Sequence, residues 1–421
     1  MSTLQQTDPA IAELIQQELA RQREGLEMIP SENFTSQAVM EAMGSVLTNK
    51  YSEGYPGRRY YGGNQVIDQV EELARERAKK LFGVEHVNVQ PYSGSPANLA
   101  IYFALLEPGD TILGMDLAQG GHLTHGYKLN VSGKFFHSAG YGVHPETHRL
   151  DYDAIRAKAV EVKPKLIMCG ATAYPRIIDF AAFRKIADEV GAYLVADISH
   201  ISGLVVAGVH PSPVPYTDVV MTTTHKTLRG PRGAMILVPK VADRLRPEAK
   251  KNLAQKIDSA IIPGLQGGPH NHQTAAIAVA LLEASQPSFM EYGKQIVKNA
   301  QVLAEALTSA GLRLITGGTD NHLILADVSP YNITGKEAER LLDTVGITLN
   351  ANLIPYDTRK PLDPSGIRLG TPALTTRGFT EADMKIIGEV MVNVLKHPGD
   401  TAVLDAARVQ VKSLTQAHPL Y

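Results

Sequence analysis

Between residues 64 and 83 the apolar positions recur at helical spacing. Val66, Ile67, Val70, Leu73, Ala74, Ala78 and Leu81 share one face, Asn64 stands where a helix cap belongs, and Gly83 is a natural stop. Before them, residues 9–25 predict a more polar helix starting near Pro9. Beyond them short apolar runs alternate with helices. Residues 111–115, 165–169, 193–196, 218–221 and 234–238 predict buried strands, and 183–190, closed by Gly191, predict a crossover helix. This alternation implies an α/β fold with a mostly parallel sheet and helices on both faces. Such sheets carry their sites at the carboxyl ends of the strands.

A Gly/Pro-rich stretch, 263–272, then leads into a long helix near Gln273. Helices around 290–310, 335–345 and 380–396 alternate with strands at 322–328, 347–350 and 366–369, which predicts a smaller α+β C-terminal domain. The expected division is an N-terminal arm and interface segment at 1–85, a large domain at 86–285 and a small domain at 286–421. A chain of 421 residues fits two cores better than one.

Composition narrows the classes. Lys and Arg number 41 against 43 Asp and Glu, a formal net charge of -2, so nothing asks for nucleic acid or a membrane surface. Cys169 is the only cysteine, which rules out an internal disulfide and fits a reducing, cytoplasmic setting. The first residues have neither the basic nor the apolar region of a secretory signal. The longest apolar runs, such as 275–282, are too short to span a bilayer.

The chemistry concentrates around Lys226, just past the predicted strand 218–221, in Met221-Thr222-Thr223-Thr224-His225-Lys226-Thr227-Leu228-Arg229-Gly230-Pro231-Arg232-Gly233. A Schiff-base lysine needs a fixed place on a strand end and neighbours that manage its charge, and the small hydroxyls beside it suit a phosphate. A basic surface loop is the plain alternative. Ser93-Gly94-Ser95-Pro96 enters a helix, with Ser95 as cap and Pro96 as first helical residue; free N–H groups there suit a phosphate, or simply start a helix. Asp197 ends a predicted strand, with Ser199 and His200 close behind and Lys226 on the next strand end. An acid for a pyridinium, a lysine for an aldehyde and a helix N-terminus for a phosphate match the needs of pyridoxal phosphate.

Three further segments add to this. A histidine of Gly121-His122-Leu123-Thr124-His125-Gly126 could stack on a flat ring; the pair of histidines also admits a metal, without a cysteine cluster to support it. Arg368, flanked by Gly366 and Gly370, fits either a grip on a substrate carboxylate or an internal salt bridge. The loop 51–63, dense in Tyr, Gly and Arg, fits binding, subunit contact, or both.

These residues, with Ser31-Glu32-Asn33-Phe34, Leu47-Thr48-Asn49-Lys50-Tyr51 and Glu53-Gly54-Tyr55-Pro56-Gly57, resemble the serine hydroxymethyltransferase family over about residues 8 to 415. The resemblance implies a pyridoxal-phosphate-dependent transferase of fold type I. It exchanges a one-carbon unit between serine and tetrahydrofolate, the co-substrate, and gives glycine. It implies that Lys226 carries pyridoxal 5'-phosphate as a Schiff base, with Asp197 on the pyridine nitrogen and His122 stacked on the ring. Thr172 and His200 would lie near the ring hydroxyl, with Thr223 and His225 beside the lysine. Ser93, Gly94 and Ser95 would hold the phosphate, joined by Tyr51 and Gly268 of a second subunit. Arg368 and Ser31 would take the substrate carboxylate, and Glu53 and Tyr61 would move protons across the interface of a homodimer. Leu117, Gly121, His122, Leu123, Glu53 and Asn352 would contact the folate.

Several positions depart from the usual bacterial pattern: Thr172 for serine, Pro30 for alanine, Asn64 for cysteine, Ala351 for lysine, and a Lys/Arg-rich run at about 244–256 that looks like an insertion. They leave open a 2-methylserine hydroxymethyltransferase or a folate-independent aldolase of β-hydroxy amino acids on the same scaffold.

Overall fold

The structure is a computed structural model that describes residues 3–421; Met1 and Ser2, at the head of the expected arm, lie outside the described residues. Seven strands build the main sheet: β1 (His86–Asn88), β2 (Thr111–Met115), β3 (His137–Tyr141), β4 (Leu166–Cys169), β5 (Tyr193–Asp197), β6 (Val219–Thr223) and β7 (Ala234–Val238). Their order is β1-β7-β6-β5-β4-β2-β3. β3, β2, β4, β5 and β6 run parallel, and β7 lies antiparallel between β6 and β1.

The sheet divides two apolar cores by simple alternation. Along β5, Leu194 and Ala196 enter one core, Tyr193 and Val195 the other. Along β7, Met235 and Leu237 oppose Ala234, Ile236 and Val238. Strands buried on both faces therefore read as unbroken apolar runs. Helices Gln65–Phe82, Phe180–Val190 and Asn271–Ala284 line the first core; Gly94–Leu105 and Leu253–Ser259 line the second. Each fully buried Leu or Ile contributes roughly 1.5–3 kcal/mol. The two layers together fix where the strand ends point.

A second sheet has strands β8 (Arg313–Leu314), β9 (Leu323–Asp327), β10 (Asn350–Asn352) and β11 (Gly366–Gly370), in the antiparallel order β8-β9-β11-β10. Helices Pro287–Ser309, Gly335–Asp343 and Glu381–Lys396 share its core with the C-terminal helix Thr401–Ala417, which the apolar pattern did not reveal. Leu26–Glu27 pairs with Ile347–Thr348, so the N-terminal segment joins this later core. No helix among the described residues is long and apolar enough to cross a membrane.

Some expectations shift. The helix expected at Pro96 starts at Gly94, with Ser93 in the cap position, because the extended backbone ends at Ser93. β5 includes Asp197, and β6 starts after Asp218, whose carboxylate is taken by Arg184, Arg244 and the Leu194 N–H. Asn64 occupies the cap position of Gln65–Phe82 without a side-chain cap; its amide donates instead to the Tyr61 carbonyl at 2.9 Å. On that helix Val66 and Leu73 are exposed, and the buried stripe is Ile67, Glu71, Ala74, Ala78 and Phe82. Glu71 is tolerated there because Arg59 and Gln90 bond its carboxylate. Arg244 and Lys256, in the Lys/Arg-rich run, pair with Asp218 and Asp243.

Candidate active site

Asp197 closes β5 as a buried carboxylate with four donors. Its Oδ2 accepts from His125 Nε2 at 3.1 Å and Asn98 Nδ2 at 3.0 Å. Its Oδ1 accepts from the Ser199 N–H at 3.0 Å and the Ser199 hydroxyl at 2.6 Å. Burial works to raise its pKa; the His125 bond and the charges of His125, His122 and Lys226 outweigh that and hold the carboxyl well below the usual range.

Lys226 lies three residues past the end of β6, buried. Its pKa falls to about 8, first through burial, with Asp197 opposing and Arg368 and Arg232 adding to the fall. The loop that carries it is tied down from several sides. Asn33 Nδ2 donates to the Lys226 carbonyl at 2.9 Å and to the Tyr292 hydroxyl at 2.7 Å. The Thr227 hydroxyl donates to the His200 carbonyl at 3.0 Å. Arg229 turns the chain at φ 63° and sits 4.5 Å over the Tyr292 ring. His225 is held neutral, its pKa lowered to about 3 by burial, Lys226 and Arg232.

At the start of helix Gly94–Leu105, Ser93 makes no side-chain cap bond, and the buried Thr223 hydroxyl oxygen at the end of β6 has no hydrogen-bond partner among the described residues. A Cβ on Gly94 would come within 2.8 Å of Thr223 Cγ2, so only glycine lets the helix N-terminus approach β6 this closely. Free N–H groups, two unspent hydroxyls and a glycine form an anion cradle.

On the loop after β2, His122 Nδ1 accepts from the Thr124 N–H at 3.2 Å. A backbone N–H can only donate, so Nδ1 is bare and the ring proton sits on Nε2. Burial, then His125, lowers the His122 pKa to about 4. The Thr124 hydroxyl donates to the bare His122 Nδ1 at 2.7 Å and accepts from Asn98 Nδ2 at 2.8 Å, and Asn98 also donates to Asp197, which connects His122 to Asp197. Ligand atoms of His122, His125 and Asp197 lie within 4.8 Å of one another. His125 Nε2 and Asp197 Oδ2 are already spent on each other, which accounts for the cluster without a metal.

Arg368, on β11, donates from Nε to Asn350 Oδ1 at 3.0 Å and from Nη1 to the Thr172 carbonyl at 2.9 Å. Among the described residues no carboxylate pairs with it, so the internal salt bridge is set aside; burial lowers its pKa to about 10. The Thr172 hydroxyl donates to the Gly121 carbonyl, which turns it toward the loop rather than leaving it free. Pro30 packs on Gly370, and the Gly370 N–H donates to the Met28 carbonyl at 2.8 Å. Ser31 is thus carried beside the strand that holds Arg368. Leu117 and Leu123 are exposed on either side of the buried Gly121, while the Asn352 side-chain amide donates to the carbonyl of its neighbour Leu353 at 2.6 Å.

The remaining expected residues form a separate group. The Tyr51 ring packs on Gly268 and lies 5.3 Å from the Tyr61 ring, edge to face. The Glu53 carboxylate adjoins Gly267 and raises the Tyr51 pKa by its charge. Tyr51 and Tyr61 are 55% and 50% exposed. Among the described residues, no hydrogen bond or ring contact joins Tyr51, Glu53 or Tyr61 to Lys226, Asp197 or Arg368; the Gly268 carbonyl accepts from the Tyr92 hydroxyl at 2.9 Å, one residue before Ser93.

Sequence reasoning missed Asn98, Thr124, His125 and Ser199 as partners of the site, and His322 altogether. His322 Nε2 lies 3.3 Å from His200 Nδ1. A buried Asn on an otherwise apolar helix face is the one signal that could have pointed to Asn98, since such a group needs a partner.

The serine hydroxymethyltransferase family profile matches residues 4–391. A serine hydroxymethyltransferase of Desulfotalea psychrophila is 58% identical over 419 residues, covering 100% of this chain and 96% of the relative. One from Synechococcus sp. strain JA-3-3Ab is 56% identical over 433 residues, covering 100% of this chain and 98% of the relative. With the Lys226, Asp197 and Arg368 geometry in place, this chain belongs to the serine hydroxymethyltransferase family.

Proposed function

We propose that the chain transfers a hydroxymethyl unit reversibly between L-serine and tetrahydrofolate, giving glycine and 5,10-methylenetetrahydrofolate, at a site completed by a second copy. The activity, the dependence on pyridoxal 5'-phosphate and the use of tetrahydrofolate go with the family. Residues 1–85 act as arm and interface, 86–285 as the cofactor-binding domain and 286–421 as the small domain. A cytoplasmic setting goes with the single buried cysteine and the near-balanced charge.

The residues fit the cofactor. The unspent Thr223 hydroxyl, Ser93 and the Gly94 approach suit its phosphate, with Ser95 in the first turn. Asp197 suits its ring nitrogen, Lys226 its aldehyde and His122 its face; His200 and Thr172 flank its hydroxyl. Bound there, the ring withdraws electrons from the bond being broken. The chain's own groups do the rest. Asp197 stays anionic and holds a proton on its partner nitrogen. Lys226, with a pKa of about 8, gives up or takes a proton near neutrality. Arg368 offers its remaining Nη2 to the substrate carboxylate, with Ser31 beside it. His225, beside Lys226, shapes substrate choice as a neutral ring. Leu117, Leu123, Gly121 and Asn352 receive the folate, and Glu53 and Tyr61 move protons at the hydroxyl being transferred.

The observation that carries the shared site is that, among the described residues, Tyr51, Glu53 and Tyr61 make no hydrogen bond or ring contact with Lys226, Asp197 or Arg368 of the same chain. Helix Pro9–Glu24 buries no residue and exposes Ile11, Leu14 and Ile15, and Val46, Val66 and Leu73 are exposed as well. Apolar surface of this extent suits a second copy. The test mixes two inactive variants, Lys226→Ala and Glu53→Gln. Random pairing should restore about a quarter of native activity, because half the dimers then hold one intact site. No recovery, with both variants dimeric, would place each site within one chain.

A further inference from the structure

Asn33 follows Ser31 by two positions and reaches the Lys226 loop across 193 positions of the chain. Its Nδ2 donates to the Lys226 carbonyl at 2.9 Å and to the Tyr292 hydroxyl at 2.7 Å. Its Oδ1 accepts from the Phe34 N–H at 2.9 Å and from the Thr376 hydroxyl at 2.7 Å. A backbone N–H only donates and a backbone carbonyl only accepts, so the two ends of this amide cannot be exchanged. Both of its N–H groups and both lone pairs of its oxygen are spent.

The partners come from separate parts of the fold. Tyr292 lies on helix Pro287–Ser309, which enters the core of the main sheet at Phe289 and Ile296 and that of the second sheet at Leu303 and Leu307. Thr376 ends helix Pro372–Thr376, and Phe34 packs on Ala373 of the same helix. A second rung lies beside the first, because the Thr35 hydroxyl donates to the Arg229 carbonyl at 3.0 Å. The Arg229 N–H donates to the Lys226 carbonyl at 3.0 Å, which closes the turn but ties it only to itself. Among the described residues, Asn33 is the group outside the loop that bonds the Lys226 peptide.

We propose that Asn33 is the positioning residue of Lys226: its amide fixes the peptide that carries the lysine, keeps the amine buried, and ties the segment of Ser31 and helix Pro372–Thr376 to the same point. Aspartate there would set a carboxylate against the Lys226 carbonyl, and leucine would leave the Phe34 N–H and the Thr376 hydroxyl unmet. That Lys226 is the reacting amine rests on the proposed function; where Asn33 holds it does not. Asp197 from β5, Arg368 from β11 and Arg232 from the lysine's own loop act on Lys226 by charge, and His122, His200, His225 and His322 feel its charge in turn. Among the described residues none of them bonds Asn33. Asn33→Ala therefore alters no charge around the amine, and a change in its proton affinity reads its position.

The experiment is trace acetylation of the cofactor-free protein with acetic anhydride across a range of pH, with Lys226 followed by the mass of its peptide. Only the neutral amine reacts, so the midpoint of the rate reports its pKa. The unaltered protein should show a midpoint near 8. Asn33→Ala should raise it by at least about one pH unit, about a tenfold change in proton affinity, toward the 10.5 of a solvated lysine. Asn88→Ala is the control. Asn88 is also buried, and its amide donates to the Tyr55 hydroxyl at 2.9 Å and to Asp258 at 2.8 Å, so its loss costs similar bonds elsewhere and should leave the midpoint near 8. An unchanged midpoint in Asn33→Ala, equal shifts in both variants, or a midpoint near that of a solvated lysine in the unaltered protein overturns the proposal. If Asn33→Ala does not fold, Tyr292→Phe decides: it removes one of the two acceptors of the amide, and its midpoint should rise by a smaller step, with no rise overturning the proposal. In the protein loaded with pyridoxal 5'-phosphate, Asn33→Ala should lower kcat by about tenfold and change the KM for serine by less than about threefold. A raised midpoint in a chain without hydroxymethyltransferase activity upholds the placement of Lys226 and overturns the proposed function instead.

Discussion

His125 Nε2 lies 3.1 Å from Asp197 Oδ2, with the His125 side chain only 1% exposed. The acid at the end of β5 is therefore held by a residue from the loop after β2. The anion is also stabilised by Asn98 and by both donors of Ser199. A carboxylate buried this deeply stays charged only because every lone pair facing the protein is met.

Asp197→Asn keeps the shape and removes the charge. It should fold, and its kcat should fall by at least about 100-fold, equivalent to about 2.7 kcal/mol of lost stabilisation. His125→Asn should cost less, about tenfold, because Asn98 and Ser199 remain. Steady-state kinetics on both variants checks the order. Equal losses would mean that His125 touches the reaction directly.

Lys226 sets a pH dependence. Burial lowers its pKa from 10.5 to about 8 in the cofactor-free protein, and only the neutral amine attacks an aldehyde. The rate of pyridoxal phosphate capture should rise with pH, with a midpoint near 8. Between about 8 and 10.5 the folded chain binds fewer protons at this group than the unfolded chain, so its contribution to stability rises with pH across that window. Rapid-mixing absorbance measurements follow the capture. A midpoint near 10 would show the amine to be solvated.

The strands that carry this chemistry were legible because burial on both faces leaves unbroken apolar runs, as in β5 and β7. Lys226, Asp197 and Arg368 stood out as chemical types at strand positions. The partners did not. Asn98 reaches Asp197 across 99 positions and His322 reaches His200 across 122, separations that no periodicity encodes. Val66 and Leu73 misled for the opposite reason. Helical spacing says which residues share a face, but not whether that face meets its own core or, as proposed, a second chain. The two-residue shift at Ser93 came from weighting Pro96 as a first helical residue over the glycine that lets the helix approach β6.

Thr172 replaces an expected serine, and its methyl is the only chemical difference. Its carbonyl holds Arg368 and its hydroxyl bonds the Gly121 carbonyl, and both bonds survive in Thr172→Ser. That variant should change the KM for serine by less than about threefold. Thr172→Val loses the hydroxyl and should raise KM by about tenfold, the scale of one hydrogen bond. Kinetics with serine and 2-methylserine in parallel checks both. A Thr172→Ser variant that changed its preference between the two donors would assign the methyl a role in donor choice.

Arg368 spends Nε on Asn350 and Nη1 on the Thr172 carbonyl, which orients the plane of its guanidinium and leaves Nη2 for a ligand. Lysine cannot reproduce this, because its single ammonium would have to serve two separated acceptors and the substrate together. Arg368→Lys should raise the KM for serine and glycine by about 100-fold, with a smaller effect on kcat, as expected when binding in ground and transition states is lost alike. Asn350→Ala keeps the guanidinium and removes one of its two guides. Its KM should rise by about tenfold, since an unpaired buried donor costs roughly 1–3 kcal/mol and part of that is recovered by rotation. The decisive comparison is the ratio of the two KM values, measured with tetrahydrofolate saturating. If Asn350→Ala binds serine as tightly as the unaltered chain, Arg368 is not oriented by β10, and the carboxylate site must be rebuilt around the Thr172 carbonyl alone.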